Sequence, residues 1–418
     1  MKKIVRVNIC FFLVFLTLLT TGCETQYLSG DRNSKWKKDL DYLQDALPNK
    51  HVNLFFKISE DQFKNEIDQL KNSVDNLNDD EIIDGIYKIV ASVGDAHTKV
   101  QRDFSKRYPL QFYYFKDGIY VINTADEYKE ILYSKLIKIN GQDMKTIENK
   151  LSPLISRENK ESVKKVLPTY LSRPEILRGV KIIEDIDSEV VFTFENREGK
   201  IFDLNMKSLN SDESINSVID SEYDESYPLY MQNPKYNYWY KYLENDKTLY
   251  LKYNECTENN RSGKIDDFNN DVLNFIDNNQ IDKLVIDMRD NGGGQTNRLN
   301  TIIEGIKNKE INNKNKFFVI VGRNTFSAAI CDVVKWREET NATFIGQETS
   351  GKLNHYGSCH TFTLPNSKLI IQYSTVYAKT GDDDSDSFIP DKTIEISIDD
   401  YVNKNDPVLD YIIGSQNQ

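Results

Sequence analysis

Histidine, cysteine and tryptophan are scarce in this 418-residue chain, which has four, five and three of them. One cysteine falls within an N-terminal leader and a second, Cys23, stands at its end, so Cys256, Cys331 and Cys359 remain. An odd number of cysteines excludes a full disulfide framework. We therefore expect these three to be mostly buried small apolar residues, with a Cys331–Cys359 bridge left open.

Clusters of basic residues are also missing from the sequence. The chain carries 53 Lys and Arg against 65 Asp and Glu, a net charge of −12, and loss of the leader with its cations makes the rest more acidic. Such a chain has no basic surface for nucleic acid. It has no electrostatic attraction to anionic lipid either, so attachment to a membrane must come from an acyl chain.

The apolar run near the N-terminus is short. Three cationic residues precede a run from Ile9 to Leu19, and Thr20-Thr21-Gly22-Cys23 follow. This length is too short for a transmembrane helix and is typical of a secretory signal. The ending resembles a bacterial lipoprotein cleavage site, which implies lipidation of Cys23 and attachment to the extracytoplasmic face of the cell membrane. The alternative is an ordinary secreted protein in which Cys23 is incidental.

Two apolar runs of strand length organise the later part of the chain. The first, residues 284–288, leads into a glycine-rich turn at 289–294, and the second, residues 317–321, leads through a turn into Ser327. Such runs, alternating with helical segments, predict a parallel sheet in an α/β domain. The working site of a parallel sheet lies at the carboxyl ends of its strands, where both the glycine turn and Ser327 fall.

The glycine turn and the serine together suit acyl transfer. Glycines leave backbone N–H groups uncovered, and N–H groups at the start of a helix bind negative charge. Ser327 is then a candidate nucleophile beside an oxyanion hole, formed by the amides of Gly293 and Ala328 with Gly292 as a close substitute. Each feature alone has a commoner explanation, a plain loop for the glycines and a helix cap for the serine.

Two more segments strengthen the functional interpretation. Lys352 follows Ser327 by 25 residues, and His97 lies in the segment 94–98. With IDMRDNGGG, TFSAA, GQETSGK, GDAHT and a late Ile-Pro-Asp, the sequence resembles the tail-specific (carboxy-terminal processing) serine peptidases, a family that includes the tricorn core protease. The resemblance covers most of the chain after the leader and is strongest over residues 287–391.

The resemblance implies a crotonase/ClpP-like α/β core with Ser327 as the nucleophile of a serine-type peptidase. One branch of the family uses a lysine at the position of Lys352 as the base. The tricorn-like branch uses a histidine at the position of His97, and this sequence leaves both open. Histidine is the natural base near neutral pH, whereas a lysine must be desolvated to lose its proton.

Two acids are candidates for supporting these bases. Asp384 lies six residues before Pro390, where the resemblance places the acid of the histidine branch, and Glu338 is an acid that could orient Lys352. No cofactor and no metal is implied, because a nucleophile, a base and backbone amides suffice for this chemistry.

The predicted organisation has a small helical region before the β-rich and α/β parts. Helical periodicity behind capping residues predicts the helical cap, and short strands followed by KLIKINGQDM resemble part of a PDZ-type module, without its carboxylate-binding glycine loop. The predicted segments are a lipoprotein signal peptide at 1–22, a tether at 23–34, the N-terminal helical cap at 35–100, a PDZ-like or diverged β-module at 101–207, an acidic linker at 208–226 and the α/β serine peptidase core at 227–418.

The predicted function is an extracytoplasmic serine endopeptidase that cleaves unfolded proteins or peptides. A catalytically inactive, peptide-binding surface lipoprotein of the same fold is one alternative. An esterase or acyltransferase with the same oxyanion hole is another. The sequence leaves the cleavage preference and the oligomeric state open.

Overall fold

The computed structural model describes residues 30–219 and 224–414. The signal peptide, most of the tether and Cys23 lie outside these residues, so lipidation stays a prediction. Within the described ranges, no helix combines the length and the apolar character needed to cross a membrane.

The described residues form α-helices and strands. In chain order the helices are α1 (Arg32–Lys50), α2 (Glu60–Ser73), α3 (Asp79–Ser92), α4 (Met144–Leu151), α5 (Lys160–Tyr170), α6 (Pro174–Gly179), α7 (Ile265–Asn278), α8 (Asn300–Ile306), α9 (Ala328–Glu339), α10 (Ile398–Val402) and α11 (Pro407–Gly414). The strands are β1 (Lys99–Gln101), β2 (Lys106–Arg107), β3 (Leu110–Phe115), β4 (Gly118–Thr124), β5 (Lys135–Ile139), β6 (Gln142–Asp143), β7 (Val190–Glu195), β8 (Ile201–Met206), β9 (Leu209–Asn210), β10 (Tyr238–Leu243), β11 (Thr248–Tyr253), β12 (Lys283–Asp287), β13 (Phe317–Val321), β14 (Thr343–Gly346), β15 (His355–Thr363), β16 (Ile370–Ala378) and β17 (Lys392–Thr393).

The three predicted N-terminal helices are confirmed as α1, α2 and α3. Each begins at a polar cap, and the cap of α3 is a full capping box in which Asn78 and Glu81 each accept from the other's backbone amide. Such a box satisfies two of the N–H groups that a helix start leaves without partners. Their apolar faces share one continuous core with the strands β3 to β8. The domain boundaries therefore stay a prediction, since this core runs through both predicted segments.

The β-rich segment after the helices forms an antiparallel sheet. Its strand order is β3-β4-β5-β7-β8, and the two-residue strand β6 pairs with β5. Helix α4 follows β6 directly, with Asp143 as its cap. Helix α5 runs through Pro168 to Tyr170. Proline in the last turn removes only one late hydrogen bond, which a helix end tolerates.

The α/β core confirms the predicted fold class. Its six-stranded sheet has the order β10-β11-β12-β13-β14-β17, and every pair except β10–β11 is parallel. All residues of β12 and β13 are buried. One face packs against α7, α8 and α9, and the other against α11. Full burial on both faces explains why these strands read as continuous apolar runs.

A long hairpin links the α/β core to the N-terminal half. Strands β15 and β16 pair antiparallel, and β16 also pairs with β1, the strand that begins two residues after His97. Apolar residues of the hairpin, including Phe362 and Ile371, join the core of the N-terminal half. The hairpin therefore holds the segment around His97 against the C-terminal core.

Strand β17 ends before an apolar segment. The apolar residues from Ile394 to Ile398 read as a strand, but only Lys392–Thr393 pairs with β14. Ser397 and Asp400 form a capping box that starts α10 at Ile398. The cap pair is the local signal that overrides the apolar pattern.

Candidate active site

Ser327 lies on a sharp turn between β13 and α9. Its backbone has φ of 56° and ψ of −127°, which is unfavourable for any residue with a side chain. Its hydroxyl caps no amide of α9, so the commoner explanation of a serine at a helix start does not apply. Strain of this kind persists only where the surrounding structure holds it, and it is concentrated at functional sites.

The glycine turn lies against Ser327. A Cβ on Gly293 would be 2.7 Å from the Ser327 Cβ and 3.0 Å from the amide nitrogen of Ala328, and Gly293 has φ of 107°. The amide of Gly293 donates to Asn291 Oδ1 at 2.9 Å. Among the described residues, the amides of Gly292 and Ala328 have no acceptor. The free pair is therefore Gly292 and Ala328, because the amide of the predicted Gly293 is already engaged.

His97 lies in the same pocket as Ser327. Its ring stacks on Phe326, the residue before the serine, with ring centroids 4.4 Å apart, and on His355 at 5.5 Å. Both ring nitrogens are buried and have no hydrogen-bond partner among the described residues. Burial lowers the pKa of His97 to about 4, although the Asp95 carboxylate opposes this shift. The imidazole is therefore neutral at neutral pH and able to accept a proton.

Asp95 organises the segment that carries His97. It accepts hydrogen bonds from His51 Nε2 at 3.1 Å, Thr98 Oγ1 at 2.6 Å and Ser374 Oγ at 2.7 Å, and from the His97 amide at 2.8 Å. Burial alone would raise the pKa of Asp95, but the His51 hydrogen bond and the other partners lower it to about 2. A carboxylate oxygen lies 3.8 Å from His97 Nδ1. Asp95 is therefore a fixed negative charge beside the imidazole.

Lys352 is paired with carboxylates. Its ammonium lies 3.0 Å from Asp384 Oδ2 and 3.4 Å from Asp386 Oδ1. Burial would lower the pKa of Lys352, but the hydrogen bond and charge of Asp384, with Asp386, raise it above its ordinary value. Glu338 is exposed on α9 and is not among the ion-pair partners of Lys352. Asp384 thus contacts the candidate lysine base rather than His97.

Glu158 is a buried acid beside Lys352 that no sequence motif indicated. One carboxylate oxygen accepts from the Lys352 amide at 2.6 Å, and burial raises its pKa to about 8. Ligand atoms of Asp95, His97 and Glu158 lie within 4.8 Å of one another, which is close enough for a metal ion. This donor set fits a metal poorly, because Asp95 is already engaged by three side chains and Glu158 holds its proton at neutral pH.

A cavity of about 430 Å³ lies beside the candidate nucleophile. It is lined by Ser327, Gly292 and His97, and also by Lys165 of α5. The short motifs predicted the first three. Lys165 comes from a segment with no recognisable motif, and only the tertiary packing of α5 against the core places it at this cavity.

The three cysteines of the described residues are free. Cys256 is buried, and its thiol donates to Asn291 Oδ1 at 3.3 Å beneath the glycine turn. Cys331 is half-buried and Cys359 is exposed, so the expectation of mostly buried cysteines holds for one of three. The Cys331–Cys359 bridge left open by the sequence is not formed.

Comparisons with known proteins establish the fold. No family model matches the chain, and no curated protein matches it. Two solved structures of mature CPAF, one complexed with lactacystin, are similar at a TM-score of 0.63 and 12% sequence identity, over 92% of this chain and 99% of that chain. The tricorn protease, with a TM-score of 0.43 and 16% identity over 93% of this chain and 37% of that chain, is too distant to carry an inference. The similarity to CPAF shows a shared α/β architecture.

Proposed function

We propose that this protein is a serine-type endopeptidase that cleaves unfolded proteins or peptides, with Ser327 as nucleophile and His97 as base. One observation carries the proposal. Ser327 stands on a strained turn with its hydroxyl unused as a cap. It shares one cavity with a buried histidine whose two ring nitrogens have no hydrogen-bond partner in the described part of the chain. A serine, a neutral imidazole and free amides are the groups that acyl transfer needs.

The proposed first step is acylation of the serine. Ser327 Oγ attacks the carbonyl carbon of the scissile peptide bond while its proton passes to His97. The negative charge then forms on the carbonyl oxygen, and the amides of Gly292 and Ala328 donate to it. As the tetrahedral intermediate collapses, the C–N bond breaks and the proton on His97 goes to the leaving amine. Water, deprotonated by His97, hydrolyses the acyl-serine in the second half.

Asp95 has a positioning role in this scheme. Its carboxylate holds the His97 amide and lies 3.8 Å from Nδ1. The imidazolium that forms during acylation is therefore stabilised by a nearby negative charge in a buried site, where such interactions are strong. Sequence motifs did not predict a role for Asp95, although it lies in the same GDAHT segment as His97.

Lys352 is proposed to stabilise the structure of the site and not to serve as the base. A raised pKa and two carboxylate partners keep its ammonium protonated. Its backbone amide meanwhile holds Glu158. A lysine base would require the opposite environment, buried and without acids.

An extracytoplasmic location and attachment through a lipidated Cys23 are also proposed. The support is the sequence of the leader alone. Metabolic labelling with palmitate tests the attachment, and incorporation should disappear in Cys23→Ala. Equal incorporation into wild type and variant would overturn it.

Cleavage of an unfolded protein tests the peptidase proposal. The chain from Glu24 onward, as wild type and as Ser327→Ala, is incubated with reduced, carboxymethylated casein, and fragments are identified by mass spectrometry. Wild type should produce fragments and Ser327→Ala none, with an unchanged melting temperature. Ser188→Ala, an exposed serine, is the matched control and should cut normally.

The same experiment separates the two alternatives. Binding of the substrate without fragments would favour the inactive peptide-binding protein. Turnover of small esters that depends on Ser327, without any peptide cleavage, would favour an esterase or acyltransferase.

A further inference from the structure

The cavity at Ser327 differs in charge from the rest of the molecule. Acidic residues outnumber basic ones in the chain, 65 to 53. The residues lining this cavity nevertheless include no Asp or Glu and two lysines, Lys99 and Lys165. The remaining wall is largely apolar, with Tyr87, Val100, Leu154, Ile155, Val166 and Tyr170.

Lys165 has no carboxylate partner among the described residues. Its ammonium lies 4.9 Å from the centre of the Phe326 ring, next to the nucleophile. The preceding residue, Lys164, instead forms an ion pair with Glu161 at 2.7 Å. Two adjacent lysines of α5 therefore differ. Lys164 has an ion-pair partner within the protein, whereas Lys165 faces the cavity without one and feels the carboxylates of Asp290 and Glu158 only at longer range.

The environment of Lys165 is costly for a cation. Burial, with the charge of Lys99, lowers the pKa of Lys165 to about 8. Lys165 is half-buried. A partly desolvated charge without an ion-pair partner is unfavourable, and a bound anion would offset that cost. A carboxylate held here would also raise the pKa of Lys165 towards its ordinary value.

We infer that Lys165, with Lys99, forms a substrate subsite that selects peptides carrying a carboxylate close to the scissile bond. This inference rests on the proposed peptidase function and names its substrate class. The carboxylate comes either from an Asp or Glu side chain or from the C-terminus of the substrate, since both present the same group to an ammonium. The apolar wall accommodates the neighbouring part of the substrate.

Matched peptides distinguish these two sources. One arm compares a peptide containing Glu near the cleaved bond with its Gln counterpart, both amidated at the C-terminus. The other compares a neutral peptide with a free C-terminus against its amide. Wild type should prefer the acid in at least one arm, with kcat/KM about ten- to a hundredfold higher, the range of a hydrogen bond to a charged group.

Variants then assign the preference to Lys165. Lys165→Met should cleave acid and amide forms equally while still cutting neutral peptides, and Lys165→Arg should keep the preference. Lys164→Met is the matched control and should behave as wild type, because Lys164 is already paired. Loss of the preference in Lys164→Met, or its survival in Lys165→Met, would overturn the inference.

Binding to the Ser327→Ala protein keeps the subsite testable if no peptide is cleaved. Fluorescence anisotropy of the same labelled peptides should show tighter binding of the acid forms, and the added Lys165→Met change should remove the difference. Equal binding of acid and amide forms to Ser327→Ala would overturn the subsite. Preferential binding without any cleavage by wild type would instead overturn the proposed peptidase activity alone.

Discussion

Two backbone positions define the site at the scale of residues. Ser327 has φ of 56°, and Gly293, against it, has φ of 107°. This conformation is energetically unfavourable for the serine, and the glycine allows the close approach of the two turns. The side chains of His97 and Asp95 then supply a neutral base and a fixed charge. These positions give predictions for single substitutions.

Gly293→Ala is expected to lower kcat/KM strongly while most of the fold persists. The added Cβ would lie 2.7 Å from the Ser327 Cβ, so the nucleophile must shift. A displacement of this order costs roughly a hundredfold in kcat/KM. Gly199→Ala is a matched control, because its φ is also positive, at 80°, but its Cβ would meet nothing within 4 Å. Wild-type cleavage by Gly293→Ala would contradict the geometry.

The pH dependence of cleavage should follow the neutral form of His97. Its pKa is lowered to about 4, so the active, unprotonated form persists as pH falls below 6.5 and is lost only as pH falls through about 4. The acid limb of kcat/KM, which reports the free enzyme, should therefore lie well below 6.5. Asp95, with a pKa of about 2, stays ionised over this range. Glu158 and Lys165 titrate near 8 and affect the alkaline side.

A lysine base would give a different profile. The Asp384 and Asp386 carboxylates raise the pKa of Lys352 above its ordinary value, so activity would rise only towards strongly alkaline pH. Initial rates between pH 4 and pH 10, with folding checked by circular dichroism at each pH, distinguish the two. A single rise above pH 9 would contradict the histidine assignment.

At the scale of elements, the β15–β16 hairpin determines where His97 lies. Strand β16 pairs with β1, and Gln372 Nε2 donates to the His97 carbonyl oxygen at 2.7 Å. Ser374, also on β16, donates to Asp95. His97, the proposed catalytic base, lies in the N-terminal half and is thus held in place by a hairpin nearly three hundred residues later in the sequence.

Ser374→Ala should weaken both stability and cleavage. Loss of one donor to a buried carboxylate costs about 1–3 kcal/mol of unfolding free energy, and a less tightly held Asp95 should reduce kcat/KM by about tenfold. Urea unfolding and peptide kinetics measure the two effects. Thr361→Ala, at an exposed position of β15, serves as the control. A Ser374→Ala protein that is indistinguishable from this control would show that the hairpin does not position the site.

Over the whole molecule, some features can be predicted from local sequence patterns, and others depend on contacts between distant segments. Helices α1 to α3 and the strands β12 and β13 follow from periodicity and caps, and the serine and glycine turns from short motifs. The pairing of β1 with β16, the approach of α5 to the serine and the ion pairs of Lys352 depend on contacts between distant segments. A single sequence carries no local signal for these, which is why Glu158 and Lys165 were missed.

Arg289, in the IDMRDNGGG motif that contains the glycine turn, also supports the fold as a whole. Its guanidinium forms a bidentate ion pair with Asp406, from Nη1 to Oδ1 at 3.1 Å and from Nη2 to Oδ2 at 2.9 Å. Its Nε donates to Asp287 Oδ1 at 3.1 Å. This ties the end of β12 to the start of α11. Arg289→Met removes the guanidinium shared by two buried carboxylates, so it should lower the unfolding free energy by about 3–5 kcal/mol in urea titrations. Arg261→Met, at an exposed position, should change it little, and an equally small effect at Arg289 would contradict this role.

The most direct measurement of the central claim is the rate at which the Ser327 hydroxyl attacks an electrophile, with displacement of its fluoride, in variants of the two candidate bases. A fluorophosphonate that reacts with activated serines is mixed with wild type, Ser327→Ala, His97→Gln and Lys352→Met, and labelled protein is followed by intact mass. Wild type and Lys352→Met should label at rates within about tenfold of each other, His97→Gln at least about a hundredfold more slowly, and Ser327→Ala not at all. Rapid labelling of His97→Gln together with an unreactive, folded Lys352→Met would contradict the account and assign the base to Lys352.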